Sequence, residues 1–173
     1  MGMFLLLKLA FWTYVALFCA AAFFDVWKFT IPNWISMALV ALFIVVGLTL
    51  PVPLDWLSQL AGMAIVLLGG MILYRFRFFG GGDLKLLAAA GLWAGTDSLA
   101  ALIVLTALAG GALALALVVV RRVIVSILVA QTVVATVTLP KVLLPGEQIP
   151  YGIGIAAGAI WLGRQLPHLG LFI

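Results

Sequence analysis

Charge is what this chain has least of. Only 8% of its 173 residues are charged, whereas 67% are hydrophobic. A soluble domain is nearer half apolar and a quarter charged, so the composition excludes one and indicates a single membrane-embedded domain over residues 1–173. Cysteine is almost absent. Cys19 has no partner for an internal disulfide and cannot build a zinc cluster; in its apolar run it reads as a core residue. Histidine is as rare: His168 falls near the C-terminus, away from the acids discussed below, which argues against a histidine-centred triad or metal site. The acids are Asp25, Asp55, Asp83, Asp97 and Glu147, outnumbered by nine basic residues for a net charge of +4. In a membrane protein that excess is a topology signal and not a sign of nucleic-acid binding.

What the chain has in abundance is apolar runs of bilayer length, about twenty residues each. The first covers 3–24. A cleaved signal peptide is the competing reading, but Phe18 is too large for the position before a processed lipoprotein cysteine, and the run continues past it. Asp25 is expected to close this helix, with 25–32 as a short connection, because Pro32 biases Ile31 away from helix. Further helices are expected from Asn33 to Leu50, from Trp56 to Tyr74, from Asp83 or Leu84 to Ala94, from Ser98 to Val120, and from Ile149 to Leu162 or Leu166. Gly110 and Gly111 in the fifth would allow close helix contact, and Arg121-Arg122 is expected to stop it. Residues 123–139 are apolar enough to cross, but their polar residues fall largely on one face, which favours an interfacial helix. The fold class is therefore an all-α, polytopic membrane helix bundle of about six transmembrane helices plus an interfacial one.

Six crossings sort the charges. Lys28, Arg75, Arg77, Lys85, Arg121, Arg122 and Lys141 fall on one side, Lys8 and Arg164 on the other. That bias makes the first side cytoplasmic and puts both termini outside. Asp25 and Asp83 then share the cytoplasmic face, while Asp55 and Asp97 sit in outer turns. Trp27, Trp34 and the Arg75-Phe76-Arg77-Phe78-Phe79 collar read as interface anchors.

Around Asp83 the sequence is Gly80-Gly81-Gly82-Asp83-Leu84-Lys85. An acid beside membrane-length apolar segments is costly unless it has a partner or a task. Two carboxylates close together share a proton, so one can act as base on water while the other protonates a departing amide. That chemistry requires no metal, cofactor or serine. Each acid alone has a plainer explanation: Asp25 can pair with Lys28 three residues on, and Asp83 can cap the helix it opens. The glycines alone lack the spacing and the Lys-Ser/Thr of a phosphate loop.

Together the motifs resemble those of the type IV prepilin peptidases, membrane aspartic proteases of the GxGD class. Gly80-Gly81-Gly82-Asp83 with Lys85 is similar to that family's G-x-G-D-x-K. Asp25 followed by Ile31-Pro32-Asn33 is similar to its first aspartate motif, and Pro150-Tyr151-Gly152 to the proline-glycine motif of its last helix. The resemblance implies an endopeptidase of the inner membrane that removes the leader of prepilins or pseudopilins on the cytoplasmic side, cutting after a glycine, with Asp25 and Asp83 as the catalytic pair. Gly80, Gly81 and Gly82 would admit the substrate backbone and Lys85 would contact substrate; read from the residues alone, Lys28 and Lys85 are first topology anchors, with orienting the pair or binding lipid phosphate as the other roles open to them. The larger members carry a cysteine-bearing insert between the first two helices and also N-methylate the product. This chain has none there, which resembles the small peptidase-only branch serving tight-adherence (Flp) pili. Two other functions fit the same acids: a small proton or cation transporter or scaffold subunit, and an intramembrane protease cutting within a helix.

Overall fold

The computed structural model describes residues 2–49, 54–76, 79–130, 141–144 and 149–169. Those residues form five α-helices and no strands: α1 Gly2–Lys28, α2 Asn33–Thr49, α3 Trp56–Arg75, α4 Gly81–Ala130 and α5 Tyr151–Gly163, with single 3-10 turns at Lys141–Leu143 and Pro167–Leu169. Three stretches are long and apolar enough to cross a bilayer, Leu5–Lys28, Trp56–Arg75 and Gly81–Ser126, and they mark a membrane protein; α2 and α5 are shorter.

Five helices and three long apolar stretches are fewer than the six spanning helices expected: α2 and α5 are short, and the fourth and fifth expected helices join at a kink to form α4. It bends at Gly95, whose φ of 63° and ψ of −176° leave the helical region; a positive φ is costly for any residue with a Cβ. The backbone N–H of Thr96, displaced by the bend, donates to Ser58 Oγ at 3.0 Å. The two legs of α4 double back on each other. Phe79, just before the first leg, stacks on Tyr151 at 6.1 Å, and a Cβ at Gly110, on the second leg, would lie 3.6 Å from the same tyrosine ring.

Other boundaries differ from expectation for local reasons. Asp25 does not close α1; the helix continues one more turn to Lys28. It ends where Phe29 enters the left-handed region at φ 50° and donates its N–H to the Asp25 carbonyl at 2.9 Å. Asp55 is an N-cap, accepting from the backbone N–H of Leu57 and Ser58 at 3.1 Å each, the usual task of an aspartate just ahead of a helix. Arg121-Arg122 does not stop the second leg of α4, which runs to Ala130, so no separate helix begins at Val123; residues 131–139 lie outside the described residues. Arg121 instead donates to the Val142 carbonyl through Nε at 3.1 Å and Nη2 at 2.9 Å. Cys19 is exposed and not a core residue, because it lies off the stripe by which α1 packs.

That stripe is Phe11, Tyr14, Phe18, Ala21 and Asp25, all buried, at alternating three- and four-residue spacing on one helix face. Above Asp25 it packs an aromatic core. Tyr14 meets Phe18 and Trp93 edge-on at 4.8 and 5.0 Å, and Phe43 meets Trp93 at 5.3 Å. Trp93 Nε1 donates to the Leu39 carbonyl at 3.1 Å, and Tyr14 Oη donates to the Ala159 carbonyl at 2.8 Å. These rings tie α1, α2, α4 and α5 together. Tyr14→Phe removes the second of these bonds and keeps the ring, so it should cost about 1 kcal/mol, read as a lower Tm in detergent.

Small residues carry the remaining contacts. A Cβ on Gly154 would come within 2.7 Å of Gly110 Cα, and one on Gly158 within 2.7 Å of Thr106 N, so α5 lies directly against the second leg of α4. Gly110 thus serves the close contact expected of it; Gly111 has no neighbour within 4 Å of its Cβ position.

Candidate active site

Asp25 is the last member of the buried stripe on α1, only 5% exposed. Its Oδ2 accepts the backbone N–H of Gly152 at 2.7 Å. Gly152 is in the first turn of α5, where backbone N–H groups have no partner within the helix. Pro150 stands just before that helix and Tyr151 is its first residue, so Pro150-Tyr151-Gly152 delivers one free N–H to one carboxylate. Lys28 does not pair with Asp25; its ammonium lies 5.8 Å from the centre of the Phe24 ring.

Asp83 occupies the first turn of α4 and reaches back to the backbone N–H of Gly80, as an acid at that helical position commonly does. The capping role and a chemical role are therefore compatible, since a carboxylate has two oxygens. Asp83 Oδ1 is buried and accepts no hydrogen bond from any described residue.

The two acids, far apart in sequence, line one open cavity of about 1180 Å³ at one end of the bundle. They are close enough for the charge on Asp25 to act on Asp83. Arg75, Lys85, Tyr74 and Tyr151 also line it. Lys85 Nζ donates to Asn33 Oδ1 at 2.9 Å, which joins the Gly-Asp-x-Lys loop to Ile31-Pro32-Asn33. Ile31 packs against both other motifs. A Cβ on Gly82 would fall 3.1 Å from Ile31 Cβ, and one on Gly152 would fall 3.0 Å from Ile31 Cδ1. Gly80 is equally constrained, because its Cβ would sit 2.7 Å from Asp83 Oδ2. The glycine loop is therefore shaped first by its own neighbours, while all three glycines still face the cavity.

The site brings together Asp25, Asp83, Gly80, Gly81, Gly82, Lys85, Ile31, Asn33 and Tyr151 on one cavity, with Gly152 on the carboxylate itself. Glu147 and Arg77 lie outside the described residues. Sequence reasoning missed three features. The Gly152 N–H was invisible as a donor because a backbone group carries no signature of its own. Phe29 gave no turn signal, since bulky residues rarely take positive φ. The stacking of Phe79 on Tyr151 joins residues with no sequence relation.

Fold and cavity define a class: an apolar helical membrane protein with two carboxylates lining one open cavity at one end of the bundle. Its family follows from comparison. Residues 12–115, more than half of the chain, match the type IV leader peptidase family, and the chain belongs to it. The match covers α1 from Trp12 onward, α2, α3, the glycine loop and α4 to beyond Gly110, hence both aspartates. No curated protein and no solved structure matches the chain.

Proposed function

We propose that this leader peptidase is an aspartic endopeptidase that removes the leader of prepilins or pseudopilins at the cytoplasmic membrane face. One observation carries the reading: Asp25 and Asp83, from the end of α1 and the start of α4, line a single solvent-open cavity. Between them the pair holds one proton, because two nearby carboxylates resist joint ionisation. The ionised member takes a proton from water, whose oxygen attacks the scissile carbonyl. The protonated member then delivers its proton to the amide nitrogen as the C–N bond breaks. Asp83 Oδ1, free of protein partners among the described residues, is the oxygen available for that exchange, while Gly152 holds Asp25 in place. Lys85 and Asn33 set the glycine loop against the start of α2.

In the membrane the two legs of α4 count as separate crossings, giving six in all, with both termini outside and the cavity in the cytoplasm. Lys28, Arg75 and Lys85 lie at the aspartate end of the bundle, as the positive-inside rule requires. Co-expression with a prepilin tests the reading directly: wild type should yield the shortened pilin on a gel, and variants of either aspartate should not. Unprocessed pilin in the presence of wild type would sink it.

We further propose that the product keeps a free amine. Only Phe29 to Pro32 join α1 to α2, and the insert associated with methyl transfer in larger members is missing there. Mass spectrometry of the processed pilin should give the mass of an unmethylated N-terminus; a shift of one methyl group would refute this.

A further inference from the structure

A second cavity, of about 470 Å³, opens on the side of the bundle between α2 and α3. Those helices meet at one end only. Phe43 and Trp56 touch edge-on at 5.7 Å, and a Cβ on Gly47 would lie 2.7 Å from the Trp56 ring. Away from that point both helices pack on α4 and scarcely on each other, so they spread apart towards the aspartate end. The gap is a wedge. Met37, Ala41 and Ile44 form one wall, Met63 and Leu67 the other, and Ala88 lies on the floor. Met37 is 71% exposed and Ile44 44% exposed.

We infer that this wedge seats the apolar helix that follows the leader in the substrate, feeding its junction to Asp25 and Asp83. The inference rests on the peptidase reading. Three observations favour a substrate helix over lipid. The wedge is continuous with the aspartate cavity, since Asn33 and Lys85 line both. Its floor and one wall carry alanines, which let another helix backbone come close. Its methionines are soft enough to fit varied side chains. The Lys85–Asn33 bond marks the place where the substrate would leave the helix and enter the catalytic cavity extended.

Two experiments test this. First, a benzophenone side chain is placed at Met37, or at Leu108 on the second leg of α4, which is 66% exposed. Each is combined with Asp83→Asn to hold uncleaved prepilin. Illumination should give a prepilin adduct from position 37 and little from position 108. Equal adducts, or only lipid adducts from position 37, would overturn the inference. Second, Ala41→Phe fills the wedge from an exposed wall position. Cleavage of full-length prepilin should fall about tenfold relative to a short peptide that carries leader and junction but no apolar helix. An unchanged ratio would overturn the wedge while leaving the peptidase reading intact. Wild-type protein that cuts neither substrate would instead remove the peptidase reading and this inference with it.

Discussion

Asp25→Asn and Asp83→Asn should each lower prepilin cleavage about a thousandfold or more, within the range that acid–base groups contribute and that linked groups lose together. Asparagine keeps the size of the side chain and a carbonyl oxygen, so Asp25→Asn can still accept from Gly152 and the bundle should fold. What it lacks is the ability to take or give the proton. In the proposed mechanism the two acids work as one unit, so the double variant should be no slower than the slower single variant to within a few-fold. The wild-type rate should fall at both ends of the pH range, since a pair sharing one proton is active only between its two ionisations. Gel analysis of co-expressed prepilin measures the loss, and thermal unfolding in detergent checks the fold. Wild-type processing by either variant would end the two-aspartate mechanism.

Gly152→Ala should have the next largest effect. The added methyl would lie 2.8 Å from Asp25 Oδ2, 3.0 Å from Asp25 Cβ and 3.0 Å from Ile31 Cδ1. Two of these contacts belong to the Asp25 side chain, whose carboxylate the same residue holds by its N–H, so it cannot swing away without breaking that bond. Either Asp25 turns or α5 retreats from α1. A displacement near an ångström at a reacting group costs about a hundredfold in rate, and overpacking costs about 1–3 kcal/mol of stability. The turnover rate should therefore fall about a hundredfold while prepilin capture, set elsewhere, changes little. Gly111→Ala is the control. Nothing lies within 4 Å of its Cβ position, so activity should persist and the helix should gain up to about 1 kcal/mol. Full activity in Gly152→Ala would show that this N–H does not position the acid.

Much of this site could be read from the chain, and each part for a local reason. Pro32 and Asp55 mark where α2 and α3 begin because one restricts the backbone before it and the other supplies an acceptor to free N–H groups. Asp25 stands at the end of an apolar run of bilayer length, so the acid is visible there as an anomaly. Gly80 to Asp83, placed between two apolar runs, was another. Where expectation failed, the deciding force was not local. Cys19 looks buried by its neighbours in sequence but faces outward, because α1 packs through the face that carries Phe11, Tyr14, Phe18, Ala21 and Asp25. Arg121-Arg122 looked like an end, yet a helix tolerates cations whose side chains reach a carbonyl such as that of Val142.

By itself, then, the order of residues determined that the chain is apolar and helical, roughly where most helices begin, and which two acids stand beside apolar runs of bilayer length. These properties depend on a residue and its near neighbours, through backbone restriction, hydrogen-bond capping and hydrophobic spacing. The tertiary structure alone decided that Gly152 rather than Lys28 partners Asp25, that Lys85 bonds to Asn33, and that Phe79 stacks on Tyr151. Each of those outcomes depends on close packing between segments distant in sequence, where the absence of a Cβ or the direction of a single N–H selects which groups can touch.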